Sequence, residues 1–252
     1  DDQLTKNFLK DCINIFHEDK NIDIVIADTI VINQKKNLLA APFTDYKLGF
    51  MESKEAVISM SKNLIPRTWT AMVFKKKMNY DYSINHEYGP MADGLWLIDL
   101  ISYNNVYCIK KIGGILVSHS ESTSQKINII DKKQITGFNL FKKNFDKNEY
   151  FSSIEKDIIF KNLKPNVDSI VFKQFFSCII KNDSEGLEKI LNFLKEGQYF
   201  KLSRKYLLYK NIFKYLFFLK AFLRLVNYFR KFIITILSKH KTRKYKTYLK
   251  DV

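Results

Sequence analysis

Four polar side chains of this 252-residue sequence stand where a fold could position them for chemistry: Asp1, Asp2, Asp93 and His119. The two aspartates open the chain ahead of an amphipathic segment, Asp93 precedes an apolar Leu-Trp-Leu run, and His119 follows a run of β-formers. Carboxylate oxygens bind hard divalent cations, and a carboxylate can also take the proton of an attacking hydroxyl group. A histidine can bind a metal ion or donate a hydrogen bond. These residue types suit metal-assisted chemistry if the fold brings them together.

Each of these residues also has a simpler structural interpretation. Asp1 and Asp2 could be solvated acids that the positive end of a nearby helix favours. Asp93 could cap the helix that contains Leu95, a role that does not exclude catalysis. His119 could be a structural hydrogen-bonding residue. The order of the surrounding motifs is what favours the chemical interpretation.

Apolar residues recur at the spacing of helices and strands along the chain, in the alternation typical of an α/β fold. The predicted elements are a helix that Thr5 caps and that runs to about Glu18, a strand over 22–28 that residues 29–32 extend, a helix over 52–61, a strand over 68–74, a short helix that begins near Asp93, strands over 106–109 and 114–118, and helices over 151–163, 167–181 and 186–194. Sites in α/β proteins are usually built at strand ends. His119 stands at such an end.

Residues 75–90 form a predicted loop that contains four tyrosine or histidine rings: Tyr80, Tyr82, His86 and Tyr88. Flat apolar ring faces among Asn, Asp and Glu side chains suit a carbohydrate, and they equally suit any exposed loop. The loop alone does not choose between these interpretations. Trp96, which follows the loop, is predicted to be a core residue.

Positive charge is concentrated at the C-terminal end. Residues 201–252 carry +14 of the net charge of +16, because fifteen Lys or Arg residues stand there against Asp251, which leaves +2 for the first 200 residues. A helix from Lys205 to Lys239 would have a wide apolar arc and a narrow polar stripe. The longest run of this helix without a charged residue, 232–238, is seven residues long, whereas a transmembrane helix needs about 20 apolar residues.

This basic segment is predicted to lie on an anionic membrane surface. Its apolar arc would enter the lipid, and each basic residue near the headgroups would contribute about 1 kcal/mol. The alternative is a helix that packs on the protein body with a solvated basic face. Aromatic and basic residues together also suit stacking and phosphate contacts with a nucleic acid, but a continuous apolar arc favours lipid.

The three cysteines, Cys12, Cys108 and Cys178, are far apart, and none belongs to a Cys or Cys/His spacing typical of zinc. They are predicted to be reduced core residues, as in a cytoplasmic protein. Together with the basic segment, they predict a cytoplasmic protein that is peripheral at the inner face of the cell membrane.

Three motifs, in their order and spacing, resemble those of the family 2 glycosyltransferases of GT-A fold. The opening DDQLTKNFL resembles the end of that family's DDD-x-L or D-x-D segment with the helix that follows it. Ala92-Asp93-Gly94-Leu95-Trp96-Leu97 resembles its acid before an LWL helix, and Val117-Ser118-His119 resembles its strand ending in histidine. The resemblance covers residues 1–124, and it leads us to expect a nucleotide-binding part ahead of Asp1.

The resemblance implies an inverting, metal-dependent transfer of a sugar from a nucleotide-sugar donor to a cell-surface polysaccharide or lipid-linked glycan. Asp2 would bind Mg²⁺ or Mn²⁺, and Asp1 would contact the metal or the donor's ribose. His119 would bind the metal or the donor's diphosphate, and Asp93 would be the catalytic base. The cation would neutralise charge on the leaving diphosphate.

The implied organisation has three parts. Residues 1–125 would be the metal and acceptor side of a GT-A, Rossmann-like catalytic domain, residues 126–200 a helical packing region, and residues 201–252 a basic amphipathic tail that associates with membranes. Two other classes remain open: a catalytically inactive, membrane-associated interaction module and, with less support, a nucleic-acid-binding protein.

Overall fold

The protein is a mixed α/β structure, as the alternation of patterns predicts. The computed structural model describes residues 2–33, 38–40, 46–68, 70–76, 83–118, 132–196 and 199–215, together with 225–226, 228–229 and 232–233. These residues group into two compact units, one made of 2–118 and 136–164 and the other of 132–135 and 165–233.

The predicted elements occur in their predicted order with differences at their ends, except that one strand replaces the two predicted over 106–118. The structure adds strands at 3–4, 38–40 and 49–51, a 3₁₀ helix at 86–91 and a helix at 132–145, none of which was predicted. In chain order the elements are β1 (Gln3–Leu4), α1 (Phe8–Glu18), β2 (Ile24–Asn33), β3 (Leu38–Ala40), β4 (Gly49–Met51), α2 (Ser53–Ser61), β5 (Met72–Phe74), a 3₁₀ helix (His86–Met91), α3 (Ala92–Ile101), β6 (Val106–Ser118), α4 (Lys132–Phe145), α5 (Ser153–Leu163), α6 (Val167–Lys181), α7 (Ser184–Glu196) and α8 (Phe200–Tyr215).

Two long parallel strands, β2 and β6, form the centre of the sheet. Short antiparallel strands border them: β1 and β4 pair with β6, and β3 and β5 pair with β2. The β-branched residues of β2 suit a strand whose two faces are both covered. The register between β2 and β6 shifts on either side of Asp28. The side chains at this irregular point of the sheet line the cavity described below.

Each face of the sheet has its own apolar core. Alternate residues of a strand point to opposite faces, so Val25 and Ala27 pack with Phe8 of α1, whereas Ile24 and Ile26 pack with α2, α3, α4 and α5. Apolar residues surround nearly the whole circumference of α3, which is the pattern of a buried helix. Trp96 belongs to this core, as predicted.

One continuous strand, β6, replaces the two strands predicted over 106–109 and 114–118. The prediction of a connection over residues 110–113 was wrong, because Gly113 serves close packing within the strand rather than a turn. A Cβ atom at Gly113 would lie 2.8 Å from both the Cβ of Ala27 and the Cε2 of Phe8. The strand can therefore pass beneath α1 only without a side chain at this position.

The N-terminal segment also differs from its prediction. Helix α1 begins at Phe8 after Asn7, whose φ is 66°, so Thr5 does not cap it. Thr5 instead donates its hydroxyl to the Ile112 carbonyl at 2.7 Å and its N–H to the Gly113 carbonyl at 2.9 Å. This buried threonine fixes the start of the chain against β6.

The second unit has an aromatic core of its own. Helices α6, α7 and α8 bury the side chains Val171, Phe175, Ile179, Ile190, Leu191, Phe193, Leu194 and Tyr206. The Tyr206 hydroxyl donates to the Asp168 carboxylate at 2.6 Å, and Lys205 pairs with the same carboxylate at 2.9 Å. These contacts join the start of α6 to α8.

Candidate active site

A cavity of about 370 Å³ lies in the first unit, where β2 and β6 face the start of α3. The lining residues are Asp28, Thr29, Val31, Tyr46, Asn63, Ile65, Pro66, Arg67, Thr68, Thr70, Asp93, Gly94, Leu97 and Leu116. Asp93 is exposed on the first turn of α3. The residue predicted to be the catalytic base therefore borders a cavity rather than a flat surface.

The 3₁₀ helix His86–Met91 leads directly into α3 and is held by α4. Tyr88 is buried, its hydroxyl accepts a hydrogen bond from Asn144 Nδ2 at 3.2 Å, and its ring meets Phe141 edge-on at 5.8 Å. Gly137 permits this approach, because a Cβ atom there would lie 2.1 Å from the Tyr88 carbonyl oxygen. Helix α4 thus sets the position from which α3 presents Asp93.

The aromatic loop predicted to suit a carbohydrate is only partly described. Tyr88 belongs to the core, so its ring face is not offered to a ligand. His86 is exposed, while Tyr80 and Tyr82 lie outside the described residues. A role of this loop in carbohydrate binding stays a prediction for those two rings.

Asp2 lies beside the C-terminal end of β6. Its Oδ1 accepts a hydrogen bond from the Val117 N–H at 3.2 Å. The next two residues pair with β6 in a register that, continued by one residue, sets Asp2 opposite Leu116. Leu116 lines the cavity. The structure therefore brings Asp2 to the strand end that borders the cavity of Asp93, although more than ninety residues separate them in the chain.

Asp1 and His119 lie outside the described residues, so their predicted roles stay predictions. Within the part of the chain that the structure describes, no group of three or more His, Cys, Asp and Glu side chains is arranged to hold a metal ion. Asp2 by itself is an exposed carboxylate whose position one hydrogen bond fixes. Such an oxygen donor fits Mg²⁺, which proteins usually hold by one or two carboxylates together with substrate phosphates.

Asp28 is a cavity residue that the sequence patterns do not single out. Its Oδ1 accepts a hydrogen bond from the Thr29 N–H at 2.7 Å, and its Oδ2 is shielded from solvent. Burial raises the pKa of the Tyr46 phenol, and the nearby Asp28 charge raises it further. One feature of the sequence could have indicated it, namely an acid inside the apolar run IVIADTIVI. Charged residues are rarely buried in a strand unless they are paired or functional.

Arg67 is the second cavity residue without a sequence signal. Its Nε donates to the Met60 carbonyl at 2.7 Å and its Nη2 to the Ser61 carbonyl at 2.5 Å. These carbonyls belong to the last turn of α2, where backbone acceptors lack helical partners. Burial lowers the pKa of the guanidinium, which nevertheless stays protonated at neutral pH. The guanidinium is thus directed by α2 while it lines the cavity.

The three cysteines are free thiols, and Cys12 and Cys108 are buried. Burial and the nearby Asp28 raise the pKa of Cys108 to about 12. The pKa of Cys12 is also raised to about 12, first by burial and then by Asp11. Because the thiolate is the nucleophilic form, these two residues are inert packing groups rather than catalysts.

Neither a comparison with protein-family models nor a comparison with curated proteins finds a match for this chain. A proposal for its function therefore depends on the cavity, on Asp93 among its lining residues, and on Asp2, which is bonded to the strand that contributes Leu116 to the lining.

Proposed function

We propose that this chain is part of an inverting, metal-dependent glycosyltransferase of GT-A fold. It transfers a sugar from a nucleotide-sugar donor to a cell-surface polysaccharide or a lipid-linked glycan. The observation that carries the proposal is the position of Asp93, a carboxylate on the border of a hydroxyl-rich cavity beside the strand end to which Asp2 is bonded. A base and a metal ligand at one cleft are the two parts that such a transfer requires.

The reaction begins with an acceptor hydroxyl group in the cavity. As its oxygen attacks the anomeric carbon of the donor sugar, the Asp93 carboxylate takes the proton. The bond from the anomeric carbon to the diphosphate oxygen breaks, and the diphosphate leaves with the electron pair. Attack from the side opposite the leaving group inverts the configuration at the anomeric carbon.

Asp2 would hold the divalent cation, with Asp1 and His119 as the further contacts that the sequence predicts. When bound, Mg²⁺ or Mn²⁺ supplies positive charge that stabilises the leaving diphosphate. The hydrogen bond from the Val117 N–H fixes the Asp2 carboxylate on the sheet edge before a ligand arrives. Pre-positioning of this kind lowers the entropic cost of binding.

The proposal is tested by a transfer assay on the protein, together with any segment that its gene encodes ahead of Asp1. Nucleotide sugars are supplied one at a time with Mn²⁺ and a mixture of glycan acceptors, and products are identified by mass spectrometry and by the anomeric NMR signals. Transfer should require the cation, stop on chelation and resume when Mn²⁺ is restored. Asp2→Asn should raise the Mn²⁺ concentration needed for half-maximal transfer. Asp157→Asn, which removes an exposed acid of α5, should leave that concentration unchanged.

If no nucleotide sugar supports transfer or binds with Mn²⁺, the glycosyltransferase proposal is wrong. The inactive, membrane-associated interaction module then becomes the better description of this chain.

The described part of α8 supports a second element of the proposal, contact with an anionic membrane surface. Leu207, Leu208 and Ile212 are 45%, 58% and 38% exposed, and Lys201 and Arg204 are exposed on the same helix. An exposed row of aliphatic residues with cations beside it fits lipid and its anionic headgroups. The exposed side chains farther along are Leu225, Val226, Tyr228, Phe229, Phe232 and Ile233. Among the described helices, none has the length and apolar character needed to cross a bilayer.

A further inference from the structure

The cavity that Asp93 borders has a chemical character of its own. Its volume of about 370 Å³ is near the lower end of the range for small-molecule sites, roughly 300–1,000 Å³. It therefore suits the terminal sugar of a glycan rather than a long segment of polymer. Aliphatic side chains form part of its wall, including Val31, Leu97 and Leu116, and these suit the apolar C–H faces of a sugar ring.

Among the described residues that line the cavity, the charged groups are two carboxylates and one guanidinium, so the sum of their charges is negative. Asp28 and Asp93 contribute the carboxylates, and Arg67 contributes the guanidinium. Two backbone carbonyls of α2 accept hydrogen bonds from Arg67, which places acceptor dipoles against its positive charge. An anionic ligand in this cavity would meet the two like charges of Asp28 and Asp93, and such contacts disfavour its binding.

The remaining polar groups match hydroxyl groups of a ligand. Thr29, Thr68 and Thr70 can each donate and accept a hydrogen bond, and the Asn63 amide can do both. Tyr46 is a neutral phenol at neutral pH, and burial and the Asp28 charge raise its pKa further. An ionised carboxylate only accepts hydrogen bonds, and each of its oxygens can accept more than one. Because Oδ2 is shielded, Oδ1 is the oxygen with which Asp28 would select for a donor such as a sugar hydroxyl, in addition to the Thr29 N–H.

We propose that this cavity binds the terminal sugar of the acceptor, that this sugar is uncharged and rich in hydroxyl groups, and that Asp28 determines this specificity. The inference rests on the proposed function, because it assigns the cavity to the acceptor of that reaction. Asp28 accepts a hydrogen bond from a hydroxyl group of the sugar, while Asp28 and Asp93 together exclude sugars that carry a carboxylate or phosphate. Asp93 is left to take the proton of the reacting hydroxyl.

The test is saturation-transfer NMR on the whole chain with three probes: methyl glucoside, methyl galactoside and methyl glucuronide. We expect the two neutral glycosides to bind and the glucuronide to bind at least about tenfold more weakly. Asp28→Asn keeps the size of the side chain and removes its charge. This variant should bind the neutral glycosides about tenfold more weakly and discriminate less against the glucuronide. A purely structural role of Asp28 would not produce such a change of preference.

Two further variants keep the test decisive if Asp28→Asn fails to fold. Thr70→Val removes one lining hydroxyl at almost constant shape, and this variant should bind the neutral glycosides about threefold more weakly, or weaker still. Asp157→Asn removes an exposed acid outside the cavity and should change nothing. The inference is overturned if the wild-type protein binds the glucuronide as well as the neutral glycosides, if it binds none of the three, or if both cavity variants bind like the wild type.

These outcomes are distinguishable from a failure of the proposed function. If the protein binds neutral glycosides in this cavity but transfers no sugar, the glycosyltransferase proposal is contradicted and the inferred binding site is supported. A protein that transfers a sugar to an acidic acceptor supports the enzyme and contradicts the specificity inferred for Asp28.

Discussion

The cavity of the first unit and the outer face of α8 in the second unit depart from an ordinary protein surface in opposite ways. The cavity holds carboxylates, hydroxyls and a guanidinium in a recess partly walled by aliphatic side chains. Helix α8 instead exposes leucine and isoleucine between lysine and arginine. Chemistry needs polar groups held away from bulk water, whereas attachment to lipid needs apolar groups offered outward. Under the proposed function, catalysis would depend on the cavity and attachment on α8, and variants should separate the two.

The largest effect on the catalytic side is expected from Gly137→Ala. The new Cβ atom would lie 2.1 Å from the Tyr88 carbonyl oxygen, so α4 or the 3₁₀ helix must move. We expect a loss of about 3 kcal/mol in the free energy of unfolding, measured by urea denaturation. Hydrogen exchange should increase in α3, which belongs to the same unit as Gly137, and not in α6 to α8, which belong to the second unit.

Gly94→Ala is the matched control on the same unit. A Cβ atom at Gly94 would meet no heavy atom within 4 Å. Alanine also favours a helix over glycine by about 1 kcal/mol, so this variant should be as stable as the wild type or more so. Equal losses in Gly137→Ala and Gly94→Ala would contradict the packing of α4 against Tyr88.

A smaller effect is expected on the attachment side from Leu208→Glu. Leu208 is 58% exposed on α8, and a charge there would remove apolar contact with lipid and oppose anionic headgroups. Vesicles of phosphatidylglycerol and phosphatidylcholine should bind this variant about tenfold more weakly than the wild type, measured by flotation. Transfer to a water-soluble acceptor should be unchanged, since the described residues that line the cavity all belong to the first unit.

Ile154→Glu provides the control for lipid binding. Ile154 is 72% exposed on α5, in the first unit. The Ile154→Glu variant should float with vesicles as the wild type does. If both variants lose lipid binding equally, the attachment surface is not specific to α8. If neither loses it and the wild type is retained on DNA in a salt-sensitive manner, the basic segment is better explained as a nucleic-acid contact.

The smallest effect is expected from acidification of the second unit. The hydrogen bond from Tyr206 and the contact with Lys205 lower the pKa of the Asp168 carboxyl. A carboxyl whose pKa is lower in the folded state stabilises the fold above its ordinary pKa, near 4, and the stabilisation is lost as the pH falls below that value. Because the ion pair is partly exposed, we expect at most about 1 kcal/mol.

Hydrogen exchange across this pH range checks the prediction. Protection of α6 and α8 should decline on acidification, and Asp168→Asn should remove most of that decline. Asp157→Asn, which removes an exposed acid of α5 in the first unit, is the control variant. A decline that persists in Asp168→Asn would assign the acid sensitivity to other groups.

Much of the fold was predictable because the periodic patterns are strong. The bounds of α6 agree with the predicted 167–181, and β2 extends to Asn33 as the β-branched residues after Asp28 indicate. The continuity of β6 could not be read locally, because Gly113 looks like a turn residue until Phe8 and Ala27 are seen to pack against it. Such long-range contacts are absent from any local pattern.

The candidate site was predictable only where a residue type stood beside a recognisable motif. Asp93 before the Leu-Trp-Leu run is such a case, and the structure places it on a cavity. Arg67 and Tyr46 carry no local signal, since they reach the cavity through the end of α2 and through proximity to Asp28. Three-dimensional neighbours, rather than spacing in the chain, make these residues candidates.

The central claim is that Asp93 takes the proton of the acceptor hydroxyl, and the rate of transfer by Asp93→Asn tests it most directly. We expect the turnover number to fall about 10²–10⁴-fold with little change in the acceptor KM or in stability. Asp99→Asn, which removes an acid of the same helix outside the cavity lining, should keep nearly wild-type turnover. Undiminished transfer by Asp93→Asn would contradict the account.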